Sequence, residues 1–218
     1  MLLAIDTATH RASIALHDGD ALRGECTWEA ANRHTVTLLP HIVEMLEETG
    51  ITAADLSALA VCIGPGSYTG VRIGVAVAKG LATAHALPMV GMTTLEILVA
   101  AQPPDPRPLY ALFGAGRRRV GYARFRWHQS AWQVETEVTL ATWSEFSEVL
   151  SATGDAALVM GEIGAKGRAA LAALGDAVEI PSPARHLRRA GFLADLAWAR
   201  LREGEQGDAA QVNPVYAR

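Results

Sequence analysis

The sequence predicts an α/β fold built from two similar halves. In each half, strand patterns typical of an antiparallel hairpin are followed by alternating helix and strand patterns, and a proline-rich segment at 102–108 separates the halves. Its 218 residues, 50% of them apolar, are enough to bury a core in one or two small domains. We therefore expect two subdomains, each with a mixed sheet flanked by helices.

The first half is expected to begin with a three-stranded meander that leads into a helix, followed by alternating strands and helices. Short apolar or alternating runs predict five strands, at 2–6, 13–16, 21–28, 59–63 and 89–90. A turn at Asp18-Gly19 connects the second strand to the third. Apolar residues at helical spacing predict three helices, at 32–49, at 71–86 and from a capping signal at 93–96 onward.

The second half repeats this order roughly. Segment 102–108 is stiff, extended and polar, and it is the best candidate for a boundary. Beyond it we predict five strands, at 109–113, 120–127, 132–138, 157–160 and 177–180. Three helices are expected, one before 157, an alanine-rich one after 160 and a final one at 184–202.

Charge and cysteine content exclude several classes of protein. The net charge of −4 indicates neither a nucleic-acid surface nor an acidic ligand. Cys26 and Cys62 lie in strand patterns without metal-binding spacing, so we expect reduced core residues of a cytoplasmic protein. Arg72 and Lys79 interrupt the most apolar later segment, and the first strand carries an acid, so we expect no membrane span.

A glycine-rich loop at 64–74 joins the predicted strand 59–63 to a helix of small and β-branched residues. Glycines let the backbone turn back, and the N–H groups that open a helix can bind an anion. Alternatively, Gly70 and Gly74 only let the helix lie close to a neighbour. The loop lacks the Gly-Lys-Ser/Thr ending of a P-loop and the spacing of a dinucleotide-binding fingerprint. Both interpretations therefore stay open.

Four segments together resemble the TsaB (YeaZ) family of tRNA threonylcarbamoyladenosine biosynthesis proteins. They are the opening strand with its acid and hydroxyls at 1–9, the helix start at 34–42, the loop at 64–74 and the ending at 213–218. The resemblance implies an actin-like, sugar-kinase-like (ASKHA) fold. It implies a first subdomain at 1–102, completed by a C-terminal helix at 185–218, and a second, reduced subdomain at 106–184.

In that fold, an acid at the end of the first strand faces a phosphate or its metal, and Asp6 occupies the matching place. The resemblance implies vestigial phosphate or nucleotide contacts at Asp6, Thr7, Gly64, Gly66, Ser67 and Thr69. Alternatively, Asp6 is a turn residue that accepts backbone hydrogen bonds. The matching position in the second half, 114–116, has two glycines and no carboxylate.

At that hairpin the chain departs from the family pattern. The family has Asp-Ala-Arg, an acidic or amide residue and then Val-Tyr, whereas this chain has Gly-Ala-Gly at 114–116 followed by Arg117, Arg118 and Arg119. Three charges in a turn favour a solvated hairpin tip. The alternative is a small anion-binding turn that replaces the family's acid and arginine.

We predict no catalytic group, metal or cofactor. The larger catalytic paralogue of the family carries His-x-x-x-His, whereas here Leu38 follows four positions after His34. His34 and His41 are separated by about 10 Å along a helix at ~1.5 Å per residue, too far to share one zinc ion. Ser67 does not lie in a Gly-x-Ser-x-Gly nucleophile motif.

The first two long helices carry more apolar surface than one sheet contact needs. We therefore predict a partner interface on them, where the resemblance also implies pairing with the paralogue and with a second copy. The predicted interface residues are His34, Leu38, Leu39, Ile42, Val43, Leu46, Gly70, Val71, Ile73, Gly74, Val75, Val77 and Ala78. The alternative is that both helices are buried inside the monomer.

The resemblance implies a non-catalytic subunit of the bacterial complex that forms threonylcarbamoyladenosine on tRNA. Its implied partners are the TsaD catalytic paralogue, which it would bind and activate, and the TsaE ATPase. Alone, it would form a homodimer, and it would meet tRNA only through the complex. The alternative functions are an ATP-dependent actin-fold kinase and a glycoprotease-like peptidase.

Overall fold

The computed structural model describes residues 1–31, 33–116 and 119–217. These residues form two compact units. The first combines Met1–Ile97 with Arg188–Tyr216, and the second spans Leu98–Leu187. Within the described ranges, no helix combines the length and the apolar character needed to cross a membrane.

The first unit is built on a five-stranded mixed sheet with the strand order β3-β2-β1-β4-β5. Its strands are β1 (Leu2–Asp6), β2 (Arg11–His17), β3 (Leu22–Glu29), β4 (Ala58–Gly64) and β5 (Met89–Thr93). The central strand β1 pairs antiparallel with β2 and parallel with β4, so that Leu3 lies beside Leu16 on one side and Leu59 on the other. All five residues of β1 are buried, which places the core along this strand.

Four helices belong to the first unit. They are α1 (His34–Thr49), α2 (Tyr68–His85), α3 (Thr94–Ala100), which crosses into the second unit, and α6 (Ala190–Arg202). Helix α1 packs on β2 and β3 and touches α2, which packs on β1, β4 and β5. Because β1 and β4 are parallel, Asp6 and the loop that opens α2 lie at the same edge of the sheet.

The second unit contains another mixed sheet, with the order β11-β10-β6-β7-β8, while β9 also pairs with β7. Its strands are β6 (Leu109–Gly114), β7 (Arg119–His128), β8 (Ala131–Val134), β9 (Thr139–Thr142), β10 (Ala157–Gly161) and β11 (Val178–Glu179). Helices α4 (Trp143–Thr153) and α5 (Ala165–Ala172) flank it. Tyr110, Tyr122 and Phe146 pack together in its core.

The structure corrects two predicted elements. The strand predicted at 132–138 ends at Val134, and β9 at Thr139–Thr142 is a strand that the sequence did not predict. Both pair with the long β7, β8 at Phe125–His128 and β9 at Arg119–Tyr122. The final helix begins at Ala190 and not at 184. Pro183–His186 form a 3-10 turn, and the backbone of Leu187 and Arg189 is extended. The first residue of the helix predicted at 32–49 lies outside the described residues, and α1 begins at His34.

Candidate functional site

Asp6 is held in a buried ion pair at the end of β1. The residue is 1% exposed, and its carboxylate Oδ2 accepts a 2.8 Å hydrogen bond from Nε of Arg188. The other oxygen, Oδ1, accepts a 2.9 Å bond from the backbone N–H of Ala8. Arg188 also donates from Nη2 to the hydroxyl of Thr9 at 2.7 Å. The carboxylate that the sequence suggested for a phosphate or metal is therefore occupied by an arginine of the same unit.

Arg188 is a site residue that the sequence analysis missed. It lies directly before α6, inside the segment that the sequence predicted as helix, and its backbone neighbourhood is extended. That conformation lets the side chain reach the end of β1, 182 residues earlier in the chain. No local sequence pattern signals this pair.

The glycine loop packs directly on the segment that follows β1. The hydroxyl of Thr7 donates a 2.7 Å hydrogen bond to the carbonyl oxygen of Gly70, and the N–H of Ser67 donates a 2.7 Å bond to the carbonyl oxygen of Ala8. A Cβ atom on Gly66 would overlap the Ala8 carbonyl oxygen, and one on Gly70 would overlap the Thr7 carbonyl oxygen. These glycines therefore permit close backbone packing. This agrees with the interpretation that the glycines of the loop let the helix lie close to a neighbour.

The other residues predicted as phosphate contacts lie around the same edge of the sheet. Ser67 caps α2, since its hydroxyl accepts a 3.2 Å hydrogen bond from the N–H of Gly70. Gly64 has a φ of 94°, and a Cβ atom there would approach the carbonyl oxygen of Val215 to 2.7 Å. Thr69 is exposed. The structure thus brings the six residues to one edge, where the polar atoms of Asp6 and Thr7 bind neighbouring protein groups.

His34 and Cys62 are buried near this edge. Nε2 of His34 lies 2.8 Å from the carbonyl oxygen of Thr9, which ties the first turn of α1 to the segment after β1. Burial raises the pKa of the Cys62 thiol. The described residues contain no group of three or more His, Cys, Asp or Glu side chains that could hold a metal ion.

Helix α1 carries two apolar stripes on different faces. His34, Leu38, Ile42 and Met45 are buried against the sheet. The second stripe, Val36, Leu39 and Val43, is exposed, with Leu39 50% accessible. Its spacing of three and four residues places all three side chains on one side of the helix. We call these three residues the outer stripe.

On α2, the structure places most of the predicted interface inside the unit. Val75 is 4% exposed and therefore does not lie on an outward face, which corrects our expectation. In total, eight of the predicted interface residues are buried in the first unit: His34, Leu38, Ile42, Gly70, Val71, Gly74, Val75 and Ala78. Of the remaining five, Leu39 and Val43 are exposed, and Leu46, Ile73 and Val77 are half-buried.

The exposed line of α2 consists mainly of small residues, Ala76, Gly80 and Ala84, and begins with Arg72. A Cβ atom on Gly80 would meet no described atom within 4 Å. Glycine inside a helix costs about 1 kcal/mol relative to alanine, and the packing within this unit does not require it. This line and the outer stripe of α1 belong to two helices that touch each other.

The hairpin with the arginine run is described only in part, because Arg117 and Arg118 lie outside the described residues. Arg119 is exposed and opens β7. The N–H of Gly114 donates a 2.8 Å hydrogen bond to the carboxylate of Glu162, which follows β10. Glu162 therefore brings an acid to a position where the local sequence has only glycines.

Comparison with known proteins identifies the family. The family model for TsaD, a tRNA N6-adenosine threonylcarbamoyltransferase, matches residues 27–193, more than half of the chain. The Escherichia coli protein named tRNA threonylcarbamoyladenosine biosynthesis protein TsaB is 44% identical over 43% of this chain and 40% of its own length. The Bacillus subtilis protein of the same name is 33% identical over 66% of this chain and 64% of its own.

This chain belongs to the TsaB (YeaZ) family. The solved structure of YeaZ from Pseudomonas aeruginosa superposes with a TM-score of 0.76 and 26% identity over 99% of both chains. The predicted fold class, an actin-like α/β fold with two mixed sheets flanked by helices, is confirmed. The chain spans less than two thirds of the length of the two curated TsaB relatives that it matches.

Proposed function

We propose that this chain is a non-catalytic subunit of the bacterial machinery that forms threonylcarbamoyladenosine on tRNA, and that it binds and activates the TsaD paralogue. Membership of the TsaB family supports the pathway. The observation that carries the subunit role is the outer stripe of α1, which leaves Val36, Leu39 and Val43 exposed on a helix that touches α2. Exposed apolar patches of this kind mark protein interfaces.

Two packed helices with small residues between larger apolar ones suit another helix pair. Gly80 and the alanines of α2 allow a partner helix to approach closely, while Leu39 and Val43 supply apolar area to bury. The paralogue shares the family model that matches this chain, so a similar helix pair on its surface would complement this one. The same face would pair two copies of this chain when the paralogue is absent.

The absence of a catalytic role is part of the proposal. It is supported by the state of Asp6, whose carboxylate is neutralised by Arg188 and shielded from solvent. A kinase of this fold would need that carboxylate for a phosphate or its metal ion. The proposal further assigns the TsaE ATPase to the same assembly, and it assigns contact with tRNA to the complex and not to this chain alone.

Reconstitution tests this proposal. The chain, the paralogue from the same genome and TsaE are purified, and threonylcarbamoyl transfer from its adenylate to tRNA is measured with each component omitted in turn. We expect no transfer, ATP hydrolysis or peptide hydrolysis by this chain alone, and transfer by the paralogue only when this chain is present. Full activity of the paralogue without it, or turnover by this chain that Asp6→Ala abolishes, would contradict the proposal.

A further inference from the structure

Two tyrosines and an arginine form a stacked, exposed cluster at the start of α2. Tyr68 is the first residue of α2, Arg72 lies one turn further on, and Tyr216 comes from the segment after α6. The two tyrosine rings have centroids 5.1 Å apart and planes 32° apart, and Cζ of Arg72 lies 3.9 Å from the Tyr68 centroid. Nε of Arg72 donates a 2.9 Å hydrogen bond to the Tyr216 hydroxyl. We call these residues the Tyr–Arg–Tyr cluster.

The cluster is fixed in place although it is exposed. Tyr68 is 55% and Tyr216 is 41% accessible, and the neighbouring Val215 is also exposed. The N–H of Val215 donates a 2.7 Å hydrogen bond to the carbonyl oxygen of Ile63, which anchors the backbone that carries Tyr216. Two aromatic side chains therefore remain exposed around a guanidinium whose orientation is already set. A partner that binds here loses little side-chain freedom.

Within the described residues, Arg72 faces no carboxylate at ion-pair distance. Its guanidinium lies over the ring of Tyr68, and its Nε donates a hydrogen bond to the hydroxyl of Tyr216. Among the described residues, six other arginines that reach solvent do face a carboxylate: Arg23, Arg107, Arg124, Arg126, Arg189 and Arg200. The guanidinium of Arg72 is thus held by the Tyr68 ring and the Tyr216 hydroxyl, and among the described residues no carboxylate pairs with its charge. A stacked guanidinium still presents its Nη atoms, which pair with a carboxylate through two parallel hydrogen bonds.

The helix dipole does not explain an arginine at position 72. A cation gains from the dipole in the last turn of a helix, whereas Arg72 lies one turn after the first residue of α2.

We propose that the Tyr–Arg–Tyr cluster is a binding hot spot for a carboxylate side chain of the TsaD paralogue. The choice of this partner rests on the proposed function. Tyrosine and arginine dominate hot spots because they combine rigid apolar area with directed hydrogen bonds. A protein partner fits better than RNA, because RNA binding relies on several phosphate contacts and this chain has a net charge of −4.

The test compares the affinity of single variants for the purified paralogue by titration calorimetry at two salt concentrations. We expect Arg72→Gln to weaken binding at least about tenfold and to reduce its salt dependence. Tyr216→Phe, which keeps the ring and loses the hydroxyl that holds Arg72, should weaken it less. Arg168→Gln is the matched control, since Arg168 is an exposed arginine on α5, and its affinity should equal that of the wild type.

Each outcome decides the proposal. Equal affinity of Arg72→Gln and wild type for the paralogue would overturn the hot spot and leave the proposed function intact. A wild type that does not bind the paralogue would overturn both. If Arg72→Gln lost tRNA binding by the complex while the affinity between the two proteins stayed unchanged, the ligand of Arg72 would be a phosphate and not a carboxylate. That result would overturn the proposal. If Arg72→Gln does not fold, Arg72→Lys must still weaken binding, because lysine cannot form the paired hydrogen bonds.

Discussion

Removing the carboxylate of Asp6 should destabilise the protein strongly. In Asp6→Ala, Arg188 would keep its charge in a site where the arginine is 9% exposed and would lose the 2.8 Å bond from its Nε. Breaking a buried ion pair by removing one partner costs about 3–5 kcal/mol, because the remaining charge stays buried without compensation. For a chain of this size, such a loss lowers the melting temperature by roughly 10 °C.

A double-mutant cycle separates the pair from the packing around it. Arg188→Met removes the charge and keeps most of the side-chain volume, and Asp6→Ala/Arg188→Met removes both charges. We expect the double variant to be more stable than Asp6→Ala, since it no longer buries a guanidinium that has lost its carboxylate. A coupling energy above about 1.5 kcal/mol identifies a direct interaction. Urea unfolding followed by circular dichroism, together with thermal melting, measures all four proteins.

The result also bears on the alternative role of Asp6. If the carboxylate served a phosphate or its metal, ATP with Mg²⁺ would raise the melting temperature of the wild type, and Asp6→Ala would abolish this shift. Near-zero coupling between the two positions, combined with such a nucleotide effect, would refute the closed ion pair. No nucleotide effect and strong coupling would support it.

Gly70→Ala should destabilise by about 1–3 kcal/mol, because its new methyl group overlaps the carbonyl oxygen of Thr7. Gly80→Ala should instead stabilise the isolated chain by up to ~1 kcal/mol. Thermal melting that gives both variants the same sign would contradict this. Cys62 should resist thiol reagents in the native protein and react in urea, since burial raises the pKa of its thiol. Mass spectrometry of labelled peptides measures this, and labelling of Cys62 in the native protein would contradict the prediction. The hydrogen bonds from Arg107 lower the pKa of Asp105 in the folded protein. Their contribution to stability is therefore present above the pKa of the unfolded carboxyl, about 3.9, and is lost as the pH falls below it. Asp105→Asn should therefore flatten the loss of stability below pH ~4 in urea unfolding, and an unchanged slope would contradict it.

Local sequence patterns predicted most of the fold. Apolar runs and turns located every strand of the first sheet and all but β9 of the second. The capping signal at 93–96 corresponds to the start of α3, where the Glu96 carboxylate accepts a 2.7 Å hydrogen bond from the Thr93 N–H. Such signals lie within a few residues of the element that they define. The start of α6 could not be found in this way, because the extended backbone before it accompanies an ion pair between Arg188 and Asp6, 182 residues away in the chain.

The face that a helix buries was harder to predict than the helix itself. Both stripes of α1 are apolar, and only the position of the sheet shows that Leu38 and Ile42 are buried while Leu39 and Val43 are exposed. On α2, the sequence suggested Val75 as an outward residue, and the structure buries it. Periodicity gives the angle between side chains on one helix, whereas the choice between two apolar stripes depends on tertiary packing.

The surroundings of Asp6 were also beyond what the sequence could predict. The resemblance implied that Asp6, Thr7 and the glycine loop lie close together, and the parallel pairing of β1 with β4 brings them to one edge of the sheet. The sequence could not tell whether the edge was open or filled. The close approach of Thr7 to Gly70 and the arrival of Arg188 both depend on three-dimensional packing.

The central claim is that the outer stripe of α1 is the surface that binds the paralogue. The measurement is the dissociation constant of Leu39→Glu with the paralogue by analytical ultracentrifugation, beside the melting temperature of the variant, with Val75→Glu as the buried control. A charge in a desolvated interface costs several kcal/mol, so we predict a loss of affinity of about a hundredfold or more with nearly unchanged melting for Leu39→Glu, and unfolding for Val75→Glu. A Leu39→Glu variant that folds and binds the paralogue as tightly as the wild type would contradict the account.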